Sequence, residues 1–229
     1  MLFRSGGVLL VPAFAIGRTQ ELLFILRLLE EQKMIPQLPV YIDSPMAIQA
    51  IPIYDRYQND FSKELAILAA KDPTPFIDDH IHTAKTREES KAINKIAYPA
   101  IIISASGMAT GGRVLHHLKQ RIDDHRNTVL FIGFQAEGTK GRFLVEGARD
   151  VKIHGQLYPV RAQIVYLDAL SAHADYEELL NWLENFKTPP QQTFLVHGEE
   201  TAASSMVEKI RQRFGWNVHV ADYLETVEL

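Results

Sequence analysis

Two histidines occupy matching sequence contexts in the last third of the chain. His173 lies in the string Ser-Ala-His-Ala-Asp and His197 in the string Val-His-Gly-Glu, and a segment with helical periodicity follows each. Imidazole is the commonest metal ligand in proteins and the natural acid–base group near neutral pH. Each histidine is followed within two residues by a carboxylate, Asp175 or Glu199, that could orient the ring or cap the next helix. A lone histidine of this kind usually has a structural role, but the matched pair favours a shared functional site.

A glycine-rich loop is a second candidate for binding chemistry. It runs from Ser104 to Arg113 and follows an apolar run that predicts a strand. Small residues let a backbone approach a ligand, and the N–H groups that open a helix bind phosphate oxygens. A tight turn whose glycines only relieve steric strain explains the string equally well. Its spacing matches neither a Walker loop nor a dinucleotide-binding motif. The candidate phosphate contacts are Ser106, Gly107, Gly112 and Arg113.

Arg18, near the N-terminus, lies between a predicted strand and a predicted helix, as the glycine-rich loop does. Between Pro12 and Thr19 the pattern predicts a turn at Gly17 and a helix capped by Thr19. Arg18 would then lie at the carboxyl edge of a strand, where open α/β sheets bind ligands. This placement makes Arg18 another candidate phosphate contact.

Two other motifs are better explained by structure than by chemistry. Ser44 and Pro45 follow a short apolar run, and they predict a helix with Ser44 as its N-cap and Pro45 as its first residue. His80 and His82 alternate on a predicted short strand, so their side chains share a face and could bind a metal. No third ligand is evident in the nearby sequence, so surface or packing roles are favoured for both histidines.

The elements that position these motifs alternate between strand and helix. Short Val- and Ile-rich runs near residues 7–11, 40–42, 100–104 and 128–132 are separated by segments at helical spacing, which predicts a parallel, doubly wound sheet. The alternation of strand-like and helical segments changes near 147–151. Beyond it, runs at 151–154 and 163–167 predict two antiparallel strands joined by a polar turn near 156–158. A domain boundary is expected at this change.

Composition limits the class of protein. The 229 residues are 46% hydrophobic and 23% charged, which is typical of a globular protein with a sizeable core. The net charge of −4 excludes a uniformly basic coat but leaves a local basic cleft open. The absence of cysteine excludes disulfides and thiolate metal sites. No run is long enough to span a bilayer and no signal-peptide pattern opens the chain, so a cytoplasmic location is expected.

Taken in order, the motifs resemble the β-CASP branch of the metallo-β-lactamase superfamily over nearly the whole chain. Six specific strings in one order are far more distinctive than any one of them. The residues in these strings are most similar to those of prokaryotic RNA-processing members related to the eukaryotic pre-mRNA 3′-end endonuclease. The strings are Gly7–Arg18, Tyr41–Ala47, Ser104–Arg113, Gly133–Thr139, Ser171–Asp175 and Val196–Glu199.

The resemblance implies an organisation in two parts. In that family the β-CASP domain interrupts a zinc-binding lactamase-type domain, and the chain then returns to complete the first domain. Residues 1–148 would therefore be the β-CASP domain, with its doubly wound, mostly parallel sheet. Residues 149–229 would be the returning C-terminal part of the metallo-β-lactamase αββα domain, the region of RNA specificity. The change in sequence pattern near 147–151 predicts the same boundary on independent grounds.

The resemblance also implies roles for the two histidines. His173 corresponds to the motif B histidine, which contacts the scissile phosphate and assists the leaving group. His197 corresponds to motif C, a ligand of one of two zinc ions. Members that act on RNA have histidine at motif C, whereas those that act on DNA tend to have valine, so His197 favours RNA. Asp175 and Glu199 would then orient the two imidazoles from behind.

Most of the family's metal ligands are missing from this sequence. The string His-x-His-x-Asp-His is absent, and by motif order it and the remaining ligands belong upstream of Met1. A catalytic zinc needs three protein ligands and an open position, which one histidine cannot supply. We therefore expect a C-terminal portion that is inactive by itself, with two zinc ions held only in the complete protein.

The complete protein is expected to hydrolyse RNA phosphodiesters in RNA processing or decay. A non-catalytic RNA-binding or scaffold protein that retains the fold is an alternative, and RNA affinity without cleavage would select it. A flavodoxin-like mononucleotide-binding domain is a second, weaker alternative. RNA is the expected partner, and self-association is expected through apolar faces near 163–167 and 193–196 that a missing half would cover.

Overall fold

The structure is a computed structural model that describes residues 6–72, 74–96, 98–168, 170 and 173–227. Strands and helices alternate along the first two thirds of the chain. The strands are β1 (Val8–Pro12), β2 (Val40–Asp43), β3 (Ile81–Thr83), β4 (Ala100–Ser104), β5 (Thr128–Ile132), β6 (Asp150–Ile153), β7 (Gln156–Pro159), β8 (Gln163–Leu167), β9 (Thr193–Leu195) and β10 (Val218–Val220). The helices are α1 (Arg18–Glu31), α2 (Pro45–Arg56), α3 (Lys63–Lys71), α4 (Arg87–Ile93), α5 (Val114–Arg121), α6 (Lys140–Val145), α7 (Tyr176–Leu183) and α8 (Glu200–Phe214).

Six strands form the central sheet in the order β3-β2-β4-β1-β5-β8. Every paired strand in this sheet is parallel to its neighbour. Strands β1, β4 and β5 are buried at every position, which explains why their sequences are continuous apolar runs rather than alternating ones. Because the strands are parallel, their carboxyl ends meet at one edge, where the glycine-rich loop begins.

Helices cover both faces of this sheet, so the predicted doubly wound architecture is confirmed. Side chains that alternate along one strand enter different cores, because successive residues of a strand point to opposite faces. On β1, Leu10 belongs to a core with Leu118 of α5, whereas Val11 belongs to a core with Leu22 and Leu26 of α1. The two cores clamp the sheet from both sides and fix the edge at which the loops emerge.

The segment after α6 differs from its prediction. Strands β6 and β7 pair with each other as an antiparallel hairpin, with Ile153 opposite Gln156. His154 and Gly155 both have positive φ, 48° and 84°, as a two-residue type I′ turn requires. The prediction of a turn at 156–158 was therefore wrong, because the turn comes two residues earlier. The prediction that 163–167 pairs antiparallel with 151–154 was wrong as well, because β8 joins the central sheet beside β5.

The chain divides into two compact units, Met1–Ser171 and Ala172–Leu229. The second unit contains α7, β9, α8 and β10, and its two strands pair in parallel. Its small core includes Leu180, Ile210 and Trp216. Because β8 lies in the central sheet, the first part of the segment predicted to begin at residue 149 belongs to the first unit. Among the described residues, no helix has the length and apolar character needed to traverse a bilayer.

Candidate functional site

The glycine-rich loop is built around two glycines that cannot be replaced without strain. A Cβ on Gly107 would lie 3.0 Å from the Phe14 ring, so the loop after β4 packs directly on the loop after β1. Gly112 has a φ of +79°, and a Cβ there would lie 2.8 Å from the carbonyl oxygen of Ala105. The steric explanation of these glycines therefore holds whether or not a ligand binds.

Ser106 lies half-buried at the tip of this loop. Its hydroxyl is 3.0 Å from that of Thr110 and accepts a hydrogen bond from the Thr110 backbone N–H. Its carbonyl accepts the N–H of Ala109. These bonds close a compact turn that holds the Ser106 hydroxyl in a defined position at the carboxyl edge of the sheet.

Gln135 ties the loop after β5 to the glycine-rich loop. Its buried amide nitrogen donates to the carbonyls of Gly107 and Gly133, at 3.3 and 3.2 Å. Gly141 lets it lie there, because a Cβ at position 141 would be 1.8 Å from the Gln135 side-chain oxygen. The Gly141 N–H also donates to the carbonyl of Met108. Three loops at the sheet edge are thus fastened to one another.

Arg113, predicted to contact phosphate, has its guanidinium bound inside the protein. Nη1 donates to Oδ1 of Asp43 at 2.7 Å and to the carbonyl of Ala84 at 3.0 Å, and Nη2 donates to the carbonyl of Lys85. The Asp43 side chain is fully buried and that of Arg113 is 25% exposed. The charge of Arg113 therefore already has a partner before any ligand arrives.

Asp43 is the centre of a buried polar network. The Ser90 hydroxyl donates to its Oδ2 at 2.6 Å, and Nε2 of His117 lies 2.7 Å from the same oxygen. The other ring nitrogen of His117 lies 2.9 Å from the side-chain oxygen of Asn94. Burial acts to raise the pKa of Asp43, but hydrogen bonds from His117, Ser90 and Arg113 outweigh it and lower the pKa. The charged carboxylate is therefore the stable form in the fold.

The strand-to-helix junction after β1 places Arg18 at the first position of α1. Its guanidinium forms an ion pair with Glu21, and its side chain is 12% exposed. Gly17 is the N-cap of α1, while Thr19 lies inside the helix and donates to the carbonyl of Phe14. The prediction that Thr19 caps this helix was therefore wrong.

Ser44 and Pro45 have the local roles predicted for them. Ser44 is the N-cap of α2, and its side chain accepts the N–H of Ala47 at 3.4 Å. Pro45 opens the helix, where its missing N–H costs no intrahelical bond. The prediction is confirmed, and it places the start of α2 directly after Asp43.

Both candidate histidines lie in the second unit and are exposed. His173 stands two residues before Asp175, the N-cap of α7. Asp175 and Glu178 form a reciprocal capping box, each side chain bonding the other's backbone N–H at 2.9 Å. Capping thus accounts for the Asp175 side chain, which was predicted to orient His173.

His197 follows β9 and has a φ of +63°, a conformation in which few residues other than glycine are found. Glu199 is the N-cap of α8, but its side chain makes no capping hydrogen bond. The side chain of His197 is exposed. The junction thus presents an imidazole to solvent from a tightly turned backbone.

The described residues do not form the zinc-pair site of the family. Among them, three His, Asp or Glu ligand atoms come together only at Glu30, Asp78 and His80. Neither His173 nor His197 belongs to such a group.

Sequence reasoning assigned no role to Asp43, His117 or Gln135. Asp43 and His117 are 74 residues apart, and Gln135 lies 28 residues from its partner Gly107. The one local signal was an aspartate that ends an apolar strand, since such a buried carboxylate requires partners. The sequence does not reveal which residues those partners are.

The comparisons with known proteins agree with this architecture. The Beta-Casp domain model matches residues 19–144. The model of the Zn-dependent metallo-hydrolase RNA specificity domain matches residues 157–221. The first match lies within the unit that contains the parallel sheet, and the second extends from β7 to β10 of the smaller α/β unit. The chain belongs to the β-CASP family of metallo-β-lactamase-fold proteins, as the sequence motifs predicted.

Several curated proteins are similar to the chain over most of its length. Ribonuclease TTHA0252 of Thermus thermophilus is 35% identical over 97% of this chain and 50% of its own length. Transcription termination factor FttA of Pyrococcus abyssi is 32% identical over 99% of this chain and 36% of its own length. An RNase J-like protein of Methanocaldococcus jannaschii is 34% identical over 90% of this chain and 46% of its own length. The chain therefore spans half or less of the length of these relatives.

Proposed function

We propose that this chain is the RNA-binding part of a zinc-dependent ribonuclease that hydrolyses RNA phosphodiesters in RNA processing or decay. The observation that carries the proposal is the succession of two family matches, a Beta-Casp domain and then an RNA specificity domain. Similarity to a protein named as a ribonuclease supports the same function. The complete enzyme would use two zinc ions. We place it in the cytoplasm and assign residues 1–148 and 149–229 to the two parts of the family.

The candidate residues would have different roles in the complete enzyme. His197 would be a zinc ligand once further ligands are supplied, and a ring N–H of His173 would protonate the leaving oxygen as the P–O bond breaks. The Ser106 hydroxyl and the backbone of Gly107 and Gly112 would contact phosphate oxygens. Asp175 and Glu199 would support the two histidines from the helix caps.

Arg113 and Arg18 differ in how readily their guanidinium groups could contact a phosphate. Arg113 already binds Asp43 and two carbonyls, so its contribution to RNA binding would be mainly the position of the loop. Among the described residues, the ion-pair partner of Arg18 is the Glu21 carboxylate, whose side chain is 42% exposed. A phosphate would have to replace Glu21 at an Arg18 side chain that is 12% exposed, so contact with RNA would require this ion pair to open.

A non-catalytic RNA-binding protein is the second candidate, because the described residues form no zinc-pair cage around His197. We expect the chain alone to bind RNA and leave it intact, with or without added Zn²⁺, on a denaturing gel. The two candidates separate when the half of Ribonuclease TTHA0252 that this chain does not match is fused ahead of residue 1. The nuclease proposal predicts zinc-dependent cleavage by the chimera.

The His173→Ala and His197→Asn chimeras are expected to lose cleavage, and His125→Ala, which changes an exposed histidine of the first unit, is the matched control. A folded chimera that binds two zinc ions and RNA but does not cleave would contradict the nuclease proposal and select the binding protein. Retention of cleavage by His173→Ala would remove that residue's assignment alone.

We also propose that the chain associates with itself through apolar side chains. Val196 is 74% exposed beside β9, and Leu167 at the end of β8 is 44% exposed. Exposed apolar patches promote association. Sedimentation should therefore show species larger than a monomer at high protein concentration, and a clean monomer would contradict the proposal.

A further inference from the structure

A cluster of one histidine and two carboxylates lies at the amino-terminal edge of the central sheet, opposite the edge that carries the glycine-rich loop. Glu30 is in the last turn of α1, and Asp78 and His80 come directly before β3. One ring nitrogen of His80, Nε2, is 3.1 Å from Oε2 of Glu30. The other, Nδ1, is 2.5 Å from Oδ1 of Asp78 and 2.9 Å from the side-chain amide nitrogen of Gln37.

The backbone holds this cluster rigidly. The carbonyl of His80 accepts the N–H of Val40 at 3.0 Å, which docks the residue on the start of β2. Oδ1 of Asp78 accepts the His80 N–H at 3.1 Å, so Asp78 is oriented toward the imidazole by the turn itself. The ligand atoms are therefore placed by strand pairing and by a turn rather than by flexible side chains alone.

The cluster is partly buried and carries negative charge that the described residues balance poorly. The side chain of Glu30 is 10% exposed, and among the described residues its Oε1 has no hydrogen-bond partner. Burial raises the pKa of Glu30, and the charge of Asp78 adds to this while His80 and Arg27 oppose it. The guanidinium of Arg27 is 2.7 Å from Asp72, which shares its charge. A cation between the carboxylates would remove the mismatch.

We propose that Glu30, Asp78 and His80 bind one divalent metal ion, with zinc as the preferred occupant. One ligand atom from each residue lies within 4.8 Å of the other two. Zinc binds imidazole nitrogen and carboxylate oxygen at about 2.0–2.2 Å, so its ligands lie at most about 4.4 Å apart. Because Glu30 and Asp78 contact different ring nitrogens of His80, one carboxylate must reorient for both to reach the same ion. A nitrogen ligand beside two oxygens favours zinc over magnesium or calcium, which prefer oxygen alone.

The site would be structural and would secure the edge of the sheet. Strand β3 has three residues and is the outermost strand on its side. Glu30 belongs to a helix that packs on the sheet, so a shared metal would tie that helix to the edge strand. Zinc bound only by the folded state stabilises it by mass action.

The test uses the full chain freed of metal with a chelator, in the His197→Asn background so that the exposed His197 imidazole does not contribute. Zinc chloride is added and followed by calorimetry and by thermal unfolding. We expect one zinc per chain, and a midpoint about 5–10 °C higher at a zinc concentration 100-fold above Kd. Magnesium chloride at the same concentration should give no rise.

His80→Gln and Asp78→Asn should abolish both zinc effects, and His82→Gln is the matched control because His82 is exposed on the same strand and lies outside the cluster. Circular dichroism of the metal-free variants shows whether they fold. If the parent chain shows no zinc-dependent rise, the three side chains only contact one another and the proposal is wrong. An equal rise in His80→Gln, or with magnesium, would also overturn it.

Discussion

Residues predicted from the sequence to share one functional site lie in two regions with opposite properties. At the carboxyl edge of the central sheet, Arg113 is bound to buried Asp43, and Gly112 is fixed by a close backbone approach. In the second unit, His173 and His197 are exposed beside the first turns of helices. One region holds an arginine against a buried carboxylate, whereas the other has two exposed histidine side chains.

The difference separates the residues that build the site from the residues that carry out chemistry. A cation matched by a buried carboxylate is held for the fold, because releasing it would leave that carboxylate without its partner. An exposed imidazole can be lost from the fold at little cost, so its exposure is consistent with contact to a metal or substrate. Substitutions in the first region should therefore affect stability, and those in the second should affect chemistry.

The largest effect is expected at Asp43. Asp43→Ala removes the buried partner of Arg113 and His117, which should lower the free energy of unfolding by about 3–5 kcal/mol. Asp123→Ala is the matched control, because the ion pair of Asp123 with Arg161 is exposed and should contribute at most about 1 kcal/mol. Urea unfolding monitored by fluorescence measures both. Equal losses of unfolding free energy in the two variants would show that the buried Asp43 network contributes no more than an exposed ion pair.

The same carboxylate predicts a dependence on pH. The pKa of Asp43 is lowered in the fold from an ordinary value of 3.8. Such a group contributes stability fully above its unfolded pKa and loses it as the pH falls through the folded pKa. The stability advantage of the parent chain over Asp43→Asn should therefore shrink as the pH falls below about 4. Urea titrations at several pH values give this difference, and an advantage that grows in acid would exclude the assigned network.

A smaller loss is expected in the glycine-rich loop. Gly112→Ala places a methyl group at a φ of +79° and 2.8 Å from the carbonyl oxygen of Ala105, which should lower the stability by about 1–3 kcal/mol. Gly111→Ala is the control, since a Cβ there meets no atom within 4 Å. Thermal unfolding compares the two. A loop that tolerates both substitutions equally would not be sterically fixed.

The smallest effect on stability is expected at His197. His197→Asn keeps a residue that tolerates the positive φ, so the free energy of unfolding should change by at most about 0.5 kcal/mol. The same substitution is expected to abolish cleavage in the chimera described above. A loss of stability as large as that of Gly112→Ala would show that His197 stabilises the fold rather than serving chemistry.

The continuous apolar runs, separated by helical segments, were enough to predict the doubly wound sheet as far as β5. Strands β1, β4 and β5 are buried along their whole length, so their sequences show no polar interruption. The cap at Ser44 was also predictable, because an N-cap depends on neighbouring residues only. The β6–β7 hairpin was misplaced because its turn uses His154 at a positive φ, a conformation more often taken by asparagine or glycine.

The interior of the candidate site was not predictable from local patterns. Arg113 looked like a phosphate ligand because arginine after a glycine-rich loop often is one. Its actual partner, Asp43, lies 70 residues away and meets it only after β2 and β4 have paired. Polar networks of this kind depend on long-range pairing, and their members therefore cannot be identified by spacing.

Binding to RNA tests the central claim most directly. Fluorescence anisotropy would compare a labelled single-stranded RNA with DNA of the same sequence, each titrated with the purified chain. The account predicts tighter binding to RNA, and with one phosphate neutralised by Arg18 an affinity that falls about 3-fold between 50 and 200 mM salt. No binding to RNA at 50 mM salt, or an affinity that does not change with salt, would contradict it.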